Sequence, residues 1–495
     1  MQDPKAMWHG PRKLTTNLLS TGLLLMTLCG WSRVRAYGQA TEGYPDAASA
    51  GQQGGSAVSS RSQSPFAGSV PEGKATADVL PLSFKDALDR GLRNNLGLLL
   101  GADNTLSARG QKWQELSALL PHINAEVSET VAQVNLAAQG LRIPGFPSII
   151  GPFSYFDARA HASESLSFSA LLRTRGAANN EEAARLSYKD ARDLVTLAVG
   201  NAYLQTLAGA ARVETAIAQN QTAQALFTKS ADQQKAGVSP AIDRLRAQVE
   251  QQNRQQQLIV SRNNFAKQKL ALARIIGLPP GQEFTLIDTA PYEPLVSQGL
   301  EPSLQRAYAS RSDYLAAMQQ VRAAERFRNA ATAEHYPSLS FTGNYGDLGT
   351  SPGNSHGTFQ VIGTLNIPIF QGGKTHGEVL EAEAKLRQNR QQLENLRGQI
   401  DYEVRASLLD LAAADEQVQV AKSSVDLADQ TLTQARDRFA AGVTDNLEVV
   451  QAQEAVAGAN ENYISSLYAH NLAKVELARA LGYAEEGVKQ YLKSK

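Results

Sequence analysis

The segment Ile367-Pro-Ile-Phe-Gln-Gly-Gly-Lys374 opens the stretch that decides the fold, residues 367–453. Behind it, apolar residues recur every seven positions in two successive registers, Leu386, Leu393 and Ile400, then Val404, Leu411, Val418, Val425, Leu432 and Phe439. This spacing keeps one stripe of a helix against a partner, as in a coiled coil. The pattern ends at Ala441-Gly-Val-Thr-Asp-Asn446, which predicts a tight turn before a returning helix. Residues 377–440 would extend roughly 95 Å as a helix, which suits a structure that spans a distance.

The composition of the chain favours long helices and gives no sign of a nucleic-acid partner. Its formal net charge is +0, and 19% of its residues are charged. Such a chain lacks the basic stripe that nucleic-acid binding requires. Only 6% of the residues are aromatic, while alanine and glutamine are abundant. This balance suits packed helices better than a large spherical core.

The N-terminal residues have the pattern of a targeting segment. A basic start is followed by an apolar run over residues 18–31 and by the small-residue site Val34-Arg-Ala36. This order predicts a signal peptide over residues 1–36. A membrane anchor, the alternative interpretation, would need about 20 apolar residues, more than the run supplies. Cys29 is the only cysteine and lies in this segment, so the predicted mature chain has no disulfide.

Behind the signal peptide the sequence divides into a leader, two repeats and a tail. Residues 37–80 are rich in Ala, Gly, Ser and Gln without periodicity, which predicts a disordered leader. The repeats cover residues 81–300 and 301–483, each a helix, a β-hairpin and a helical hairpin, and residues 484–495 form a C-terminal tail. The predicted β-hairpin and helical hairpin lie at about 121–170 and 177–277 in the first repeat, and at about 337–369 and 375–482 in the second.

The two helical hairpins turn through matching sequences. Ala236-Gly-Val238 in the first repeat corresponds to Ala441-Gly-Val443 in the second. The residues that follow also match, with Ile242-Asp243 at the spacing of Leu447-Glu448. The agreement of residue type and spacing indicates that the second repeat is a copy of the first.

Alternation in the four predicted strands gives each hairpin one apolar and one polar face. Ile123, Ala125 and Val127 alternate with polar neighbours in the first hairpin, and Leu339 and Phe341 do so in the second. These faces suit lipid outside and water inside. Four strands cannot close a barrel, and open sheet edges are not tolerated in lipid, so several chains would have to pool their strands. A dimer would give a narrow, filled barrel and a trimer a twelve-stranded one with a lumen; the edge of a soluble sandwich is the remaining alternative.

Three motifs resemble those of the TolC-like outer membrane efflux proteins. They are Tyr336-Pro-Ser-Leu339, Ile367-Pro-Ile-Phe-x-Gly-Gly-Lys374 and Arg438-Phe-x-Ala-Gly-Val443-x-Asp-x-Leu-Glu-Val449. The resemblance covers residues 82–482 and both repeats. It implies a mostly α-helical homotrimer whose helical hairpins form an α-barrel tunnel across the periplasm, with four strands per chain in a shared 12-stranded outer membrane β-barrel. It also implies passive conduction beside a periplasmic adaptor protein and an inner-membrane transporter, in efflux or type I secretion.

The resemblance also implies roles for residues at the two helical turns. Gly237, Val238 and Ser239, with Gly442, Val443 and Thr444, match the short motif that docks the adaptor. Glu448 takes the place of an acid that rings the closed pore, where three copies would focus a negative potential. Gln451 stands where a second acid occurs in the family, and Asp445 is a further candidate for the constriction. From the residues alone, glycine could serve only the turn, Asp445 could cap the returning helix, and Glu448 could favour its start.

Other chemistry finds no support in the sequence. His335 and His356 are isolated, and no nucleophile, base and orienting acid stand at a recognisable spacing, so we expect no enzyme, metal site or cofactor. Gly372-Gly373-Lys374 lacks the upstream glycine and the hydroxyl residue of a phosphate loop. Two hypotheses therefore remain: an outer membrane duct, and a periplasmic or secreted coiled-coil scaffold whose β-hairpins only end its helices.

Overall fold

The computed structural model describes residues 66–491, apart from residues 67, 142, 289–291, 296–298 and 445. The predicted signal peptide, Cys29 and Asp445 lie outside the described residues. The helices are α1 Phe84–Asn94, α2 Leu96–Ser117, α3 Phe168–Lys235, α4 Ala241–Ile276, α5 Leu300–Ser310, α6 Ser312–Ala333, α7 Lys374–Ala440, α8 Asn446–Ala480 and α9 Ala484–Tyr491. The strands are β1 Leu80–Leu82, β2 His122–Asn135, β3 Ile149–Leu166, β4 Phe284–Leu286, β5 Ser338–Gly349 and β6 Ser355–Asn366.

Each repeat places one long helix beside two shorter ones. The long helices α3 and α7 have 68 and 67 residues. In the first repeat α3 packs against α2 and α4, and in the second α7 packs against α6 and α8. The short helices α2 and α6 have 22 residues each, and α4 and α8 have 36 and 35. This arrangement, together with four strands in one larger sheet, agrees with the predicted mostly helical fold class.

The sevenfold stripe on α7 is the packed side of that helix. Ile400 and Val404 are fully buried, and they pack in one cluster with Ala473 and Leu477 of α8. Nearer the turn, Phe439 joins a second cluster that contains residues of both repeats. Apolar side chains repeating along one face therefore bury continuously against neighbouring helices, as the coiled-coil spacing predicts.

The long helix of the first repeat begins earlier than the sequence indicated. The sequence predicts a β-hairpin to about residue 170 and a helical hairpin from residue 177, whereas α3 starts at Phe168. The hydroxyl of Ser167 accepts a hydrogen bond from the Ala170 amide at 3.1 Å and caps the helix. Leu172 then packs against Ala330 and Ala333 of α6. Capping and packing thus prevail over the alternating pattern at this boundary.

Parts of the predicted leader and of the predicted C-terminal tail belong to a packed core. The C-terminal part of the predicted leader is ordered, since the Val70 amide donates to the Asn94 carbonyl at 2.8 Å and β1 pairs in parallel with β4. Residues from the predicted tail form α9, whose Val488 is fully buried in the same cluster as Leu82. Strands of three residues carry no periodicity, and their partners lie some two hundred residues away in the sequence. The prediction of a disordered leader was wrong for residues 68–80, and the predicted tail contains a short helix.

Among the described residues, α3 is the one helix with an apolar stretch of membrane-spanning length. One stretch of it is long and apolar enough to cross a membrane by composition, but 61% of that stretch is buried inside the structure. Its apolar residues, among them Val195, Val199 and Leu204, lie in the core with β1, α1 and β4. The apolar character of α3 is thus explained by packing between helices.

Candidate functional site

The larger sheet joins the hairpins of the two repeats and leaves two open edges. Its strands are antiparallel in the order β2-β3-β5-β6. Within the described residues, β2 and β6 each pair on one side only. An exposed strand edge carries unpaired amide and carbonyl groups and is ready to accept another strand. The sheet is therefore incomplete as a single chain.

The pairing register places apolar residues on one face of the sheet. Ile123, Ala162, Gly343 and Val361 are aligned across the four strands, and Tyr345 faces Phe359 in the next row. The side chains of Phe359 and Val361 are 79% and 76% exposed in the single chain. Nothing else in the described part of the chain covers these two residues.

Acidic residues mark the two borders of the apolar face. Glu129 pairs with Phe156, at one end of the pairing between β3 and β5, and Glu164 stands on the same face near the other end of that pairing. The nine residues from Phe156 to Glu164 span about 26 Å along the strand at about 3.3 Å per step, or about 20 Å along the axis of a barrel whose strands tilt by about 40°. An outward apolar band in a membrane barrel is about 25 Å tall. The height of this face is therefore of the same order as that of a membrane barrel's apolar band.

The opposite face of the sheet is polar and internally hydrogen-bonded. Asn124, His161, Asn344 and Gln360 are aligned across all four strands. The amide nitrogen of Asn344 donates to the Gln360 side-chain oxygen at 3.3 Å, and Arg159 pairs with Asp157 on the same face and reaches Asn344. This face suits water, as the alternation predicted.

Both helical turns end their long helices in the same way. Gly237 and Gly442 adopt φ values of +71° and +73°, a conformation that glycine accepts without steric cost. The amides of Val238 and Val443 donate to the carbonyls of Gln233 at 2.9 Å and Arg438 at 3.0 Å. Bonding of this kind satisfies the last helical carbonyls in a Schellman motif. The repeated sequence thus produces a repeated geometry.

The side chains at the two turns are directed outwards. Val238 is 77% exposed and Val443 is 69% exposed, although each could have packed as an apolar residue. The hydroxyl of Ser239 donates to the Asp243 carboxylate at 2.9 Å, and Thr444 is partly buried. Each turn therefore presents one apolar side chain beside a hydroxyl residue.

The predicted constriction residues lie just behind the second turn. Glu448, in the first turn of α8, is 3.6 Å from Arg438 in the last turn of α7. This contact offsets part of the Glu448 charge within its own chain. Gln451 is exposed, and Asp445 is not among the described residues. In the sequence, Glu448 and Gln451 follow Gly442 by six and nine residues.

Sequence reasoning missed a buried residue that ties the two turns together. Asn446 is fully buried. Its side-chain amide nitrogen donates to the Asp243 backbone carbonyl at 2.9 Å and to the Ser230 hydroxyl at 3.4 Å. These acceptors belong to α4 and α3, so the bonds join the returning helix of one repeat to the other repeat. An asparagine at a helix start is usually a cap, which is why its partners could not be foreseen.

A second polar cluster, also missed, lies further along α8. His470 is fully buried and Lys474, one turn later, is 1% exposed. The His470 Nε2 atom is 3.6 Å from the Asp415 carboxylate of α7, and its ring lies 5.2 Å from that of Tyr292. Burial, aided by Lys474, lowers the pKa of His470 from 6.5 to about 4. No cluster of metal-binding type occurs among the described residues.

Long helical hairpins joined to a lipid-compatible sheet with open edges are features of outer membrane channels. Comparison with known proteins finds relatives among such channels. Residues 303–483 match the family described as "Outer membrane efflux protein". Across 324 residues the chain is 29% identical to outer membrane protein OprJ of Pseudomonas aeruginosa, covering 61% of this chain and 63% of OprJ. It is 25% identical to the toluene efflux pump outer membrane protein TtgF of Pseudomonas putida, over 81% of this chain and 83% of TtgF.

Solved structures show the same fold. The outer membrane protein VceC of Vibrio cholerae has a TM-score of 0.69 at 20% identity, covering 81% of this chain and 96% of VceC. The MtrE channel of Neisseria gonorrhoeae in its open state also has a TM-score of 0.69, at 17% identity, over 86% and 97%. The chain is thus similar to outer membrane efflux proteins, in sequence over residues 303–483 and in fold over most of its length. The matched part spans less than two thirds of OprJ.

Proposed function

We propose that three copies of this chain form the exit duct of a tripartite efflux or type I secretion system. The observation that carries the proposal is the four-stranded sheet, with one apolar face, one polar face and two open edges. Three copies would join β6 of one chain to β2 of the next and close twelve strands without a free edge. The apolar faces would then meet lipid and the polar faces would line a lumen.

The helices support the same assembly. Exposed apolar residues follow the outer sides of α4 and α7, among them Val249, Ile259, Leu409 and Val420. Exposed apolar surface on a helix that continues beyond the membrane needs a partner, and neighbouring copies supply it. The helical hairpins would continue the barrel as a tunnel through the periplasm, which substrate crosses passively. Transport would be driven by an inner-membrane transporter.

The paired turns are the proposed docking site for a periplasmic adaptor protein. Gly237, Val238 and Ser239 of one turn and Gly442, Val443 and Thr444 of the other would present two equivalent motifs per chain. Exposed valines at both turns support this role, because an apolar residue gains free energy when a partner covers it. Glu448 and Gln451, with Asp445, would line the constriction behind the second turn. The ion pair of Glu448 with Arg438 would weaken that negative potential and does not abolish it.

Paired substitutions on the two faces of β6 test the duct. Val361→Lys places a charge on the apolar face, where lysine at the bilayer midplane costs about 2–4 kcal/mol. We expect this variant to be depleted from the outer membrane, and Gln360→Lys, its neighbour on the polar face, to assemble as trimers like the parent. The readouts are membrane fractionation, trimer mass in detergent and ion conductance in planar bilayers. Recovery of the parent as a soluble periplasmic monomer would instead support the coiled-coil scaffold.

A further inference from the structure

A cavity lies between the two repeats, close to the two helical turns. It has a volume of about 500 Å³, within the range of about 300–1,000 Å³ that small-molecule sites occupy. Its apolar wall consists of Leu226 from α3, Phe439 from α7 and Val449 from α8, and all three side chains are buried. One chain supplies every residue that lines the cavity, so the site exists without a second copy.

Two cationic side chains border the cavity. Lys229 lies on α3 and Arg436 on α7, and the lining residues in the described part of the chain include no acid. Neither cation forms an ion pair with a described residue. The Lys229 Nζ atom lies 5.4 Å from the centre of the Phe439 ring, so this charge stands directly beside the apolar wall. Unpaired positive charge in a cleft of this kind attracts an anion.

Gln453 contributes a polar group to the same cavity. It is only 7% exposed, and it lines the cavity from α8. Neither the nitrogen nor the oxygen of its side-chain amide has a hydrogen-bond partner among the described residues. Buried amides are nearly always paired, because an unmade hydrogen bond costs free energy. The amide nitrogen is therefore a donor that a ligand can use.

The position of the cavity shows from which side a ligand enters. An α-helix turns by about 100° per residue, so Val449 and Gln453 each lie about 200° around α8 from Gln451, the constriction candidate. The cavity therefore opens away from the proposed pore. Lys229 lies about 90 Å beyond Phe168, the first residue of α3, at about 1.5 Å per residue. Because Phe168 adjoins the sheet, a lipid held around the sheet would not reach the cavity.

We propose that this cavity binds a small amphipathic organic anion, an apolar body that carries a sulfonate, phosphate or carboxylate group. The apolar body would pack on the apolar wall and leave water. The anionic group would accept charge-assisted hydrogen bonds from Lys229 and Arg436, and a further bond from the Gln453 amide. Because the lining comes from both repeats, such a ligand would hold α3, α7 and α8 together behind the two turns.

Two matched dyes test the proposal in the purified full chain. The first, 8-anilinonaphthalene-1-sulfonate, is an apolar body with a sulfonate, and the second, N-phenyl-1-naphthylamine, is the same body without it. Each dye is titrated into the parent and into Ala225→Trp, whose larger side chain fills the cavity from an exposed lining position. We expect one saturable site per chain for the sulfonate dye in the parent and none in Ala225→Trp. The neutral dye should give the same signal in both proteins.

Removal of single charges separates this site from general adsorption of the dye. Lys229→Gln and Arg436→Gln should each raise the Kd of the sulfonate dye roughly fivefold, the upper value for one ion pair at an exposed position. Lys422→Gln removes an exposed charge from α7 outside the cavity and should leave the Kd unchanged.

Three results would overturn the site: no saturable binding in the parent, equal binding of the two dyes, or the same Kd in all the charge variants. Trimer mass and ion conductance are measured on the same preparations. Their absence in the parent would count against the duct alone, because the cavity belongs to a single chain.

Discussion

His470 should make the stability of α8 depend on pH in a predictable direction. The imidazole is fully buried between Lys474, Asp415 and Tyr292, and Glu293 also acts on Lys474. Burial is the main cause that lowers its pKa to about 4, whereas an unfolded histidine titrates near about 6.5. Between these values the open helix binds more protons than the folded one, so stability rises with pH. The stability that neutral, buried His470 contributes to α8 is fully present above about pH 6.5, and it is lost progressively as the pH falls to about 4.

The size of the effect follows from the two pKa values. At pH 5 the folded helix should be about 2 kcal/mol less stable against local opening than at pH 7.5. Replacing His470 by leucine removes this pH dependence. The substitution breaks no hydrogen bond to a described residue, because neither ring nitrogen of His470 has such a partner. Asp190 has the opposite slope, since burial raises its pKa to about 6 and the folded state then binds more protons. This second term is common to parent and variant, so it cancels in their comparison.

Hydrogen exchange of α8 amides near position 470 measures the effect. The ratio of parent to His470→Leu exchange rates should rise roughly thirtyfold from pH 7.5 to pH 5, which is the same free energy expressed as a rate ratio. His376→Leu, at an exposed position near the start of α7, is the matched control and should show no such change. An equal ratio at both pH values would refute the assignment of the low pKa to burial of His470.

Two further predictions concern the turn between α7 and α8. Gly442→Ala should destabilise the turn by about 1–2 kcal/mol because an L-residue strains at positive φ; Gly458→Ala, in the middle of α8 with nothing within 4 Å, should stabilise instead. Amide exchange at residues 440–448 distinguishes them, and similar effects of both substitutions would contradict the strain argument. Glu448→Gln should reduce the cation selectivity of the channel in planar bilayers and Gln451→Glu should increase it, since charge in a narrow opening sets selectivity. Unchanged reversal potentials in both variants would remove these residues from the constriction.

The sequence predicts those parts of the fold in which apolar residues recur at a regular spacing along the chain. The sevenfold residues Ile400, Val404 and Val418 are buried on α7, because spacing alone decides which side of a helix is apolar. Alternation likewise placed Ile123 and Val361 on one face of the sheet. What failed depends on partners that are distant in the chain. Pairing of β1 with β4 and the packing of α9 leave no periodic trace in segments of three and eight residues.

The same distinction separates the foreseen part of the site from the missed part. Gly442 could be placed in a turn from its own neighbours, since glycine accepts positive φ. Asn446 and His470 act through side chains from other helices, and nothing near them in sequence specifies those contacts. The proposed roles of Val443 and Glu448 depend on other chains, because a docking surface and a pore would form only in the assembly. Each level of organisation, from helix to subunit to assembly, therefore adds functional residues that the level below presents as ordinary surface or core.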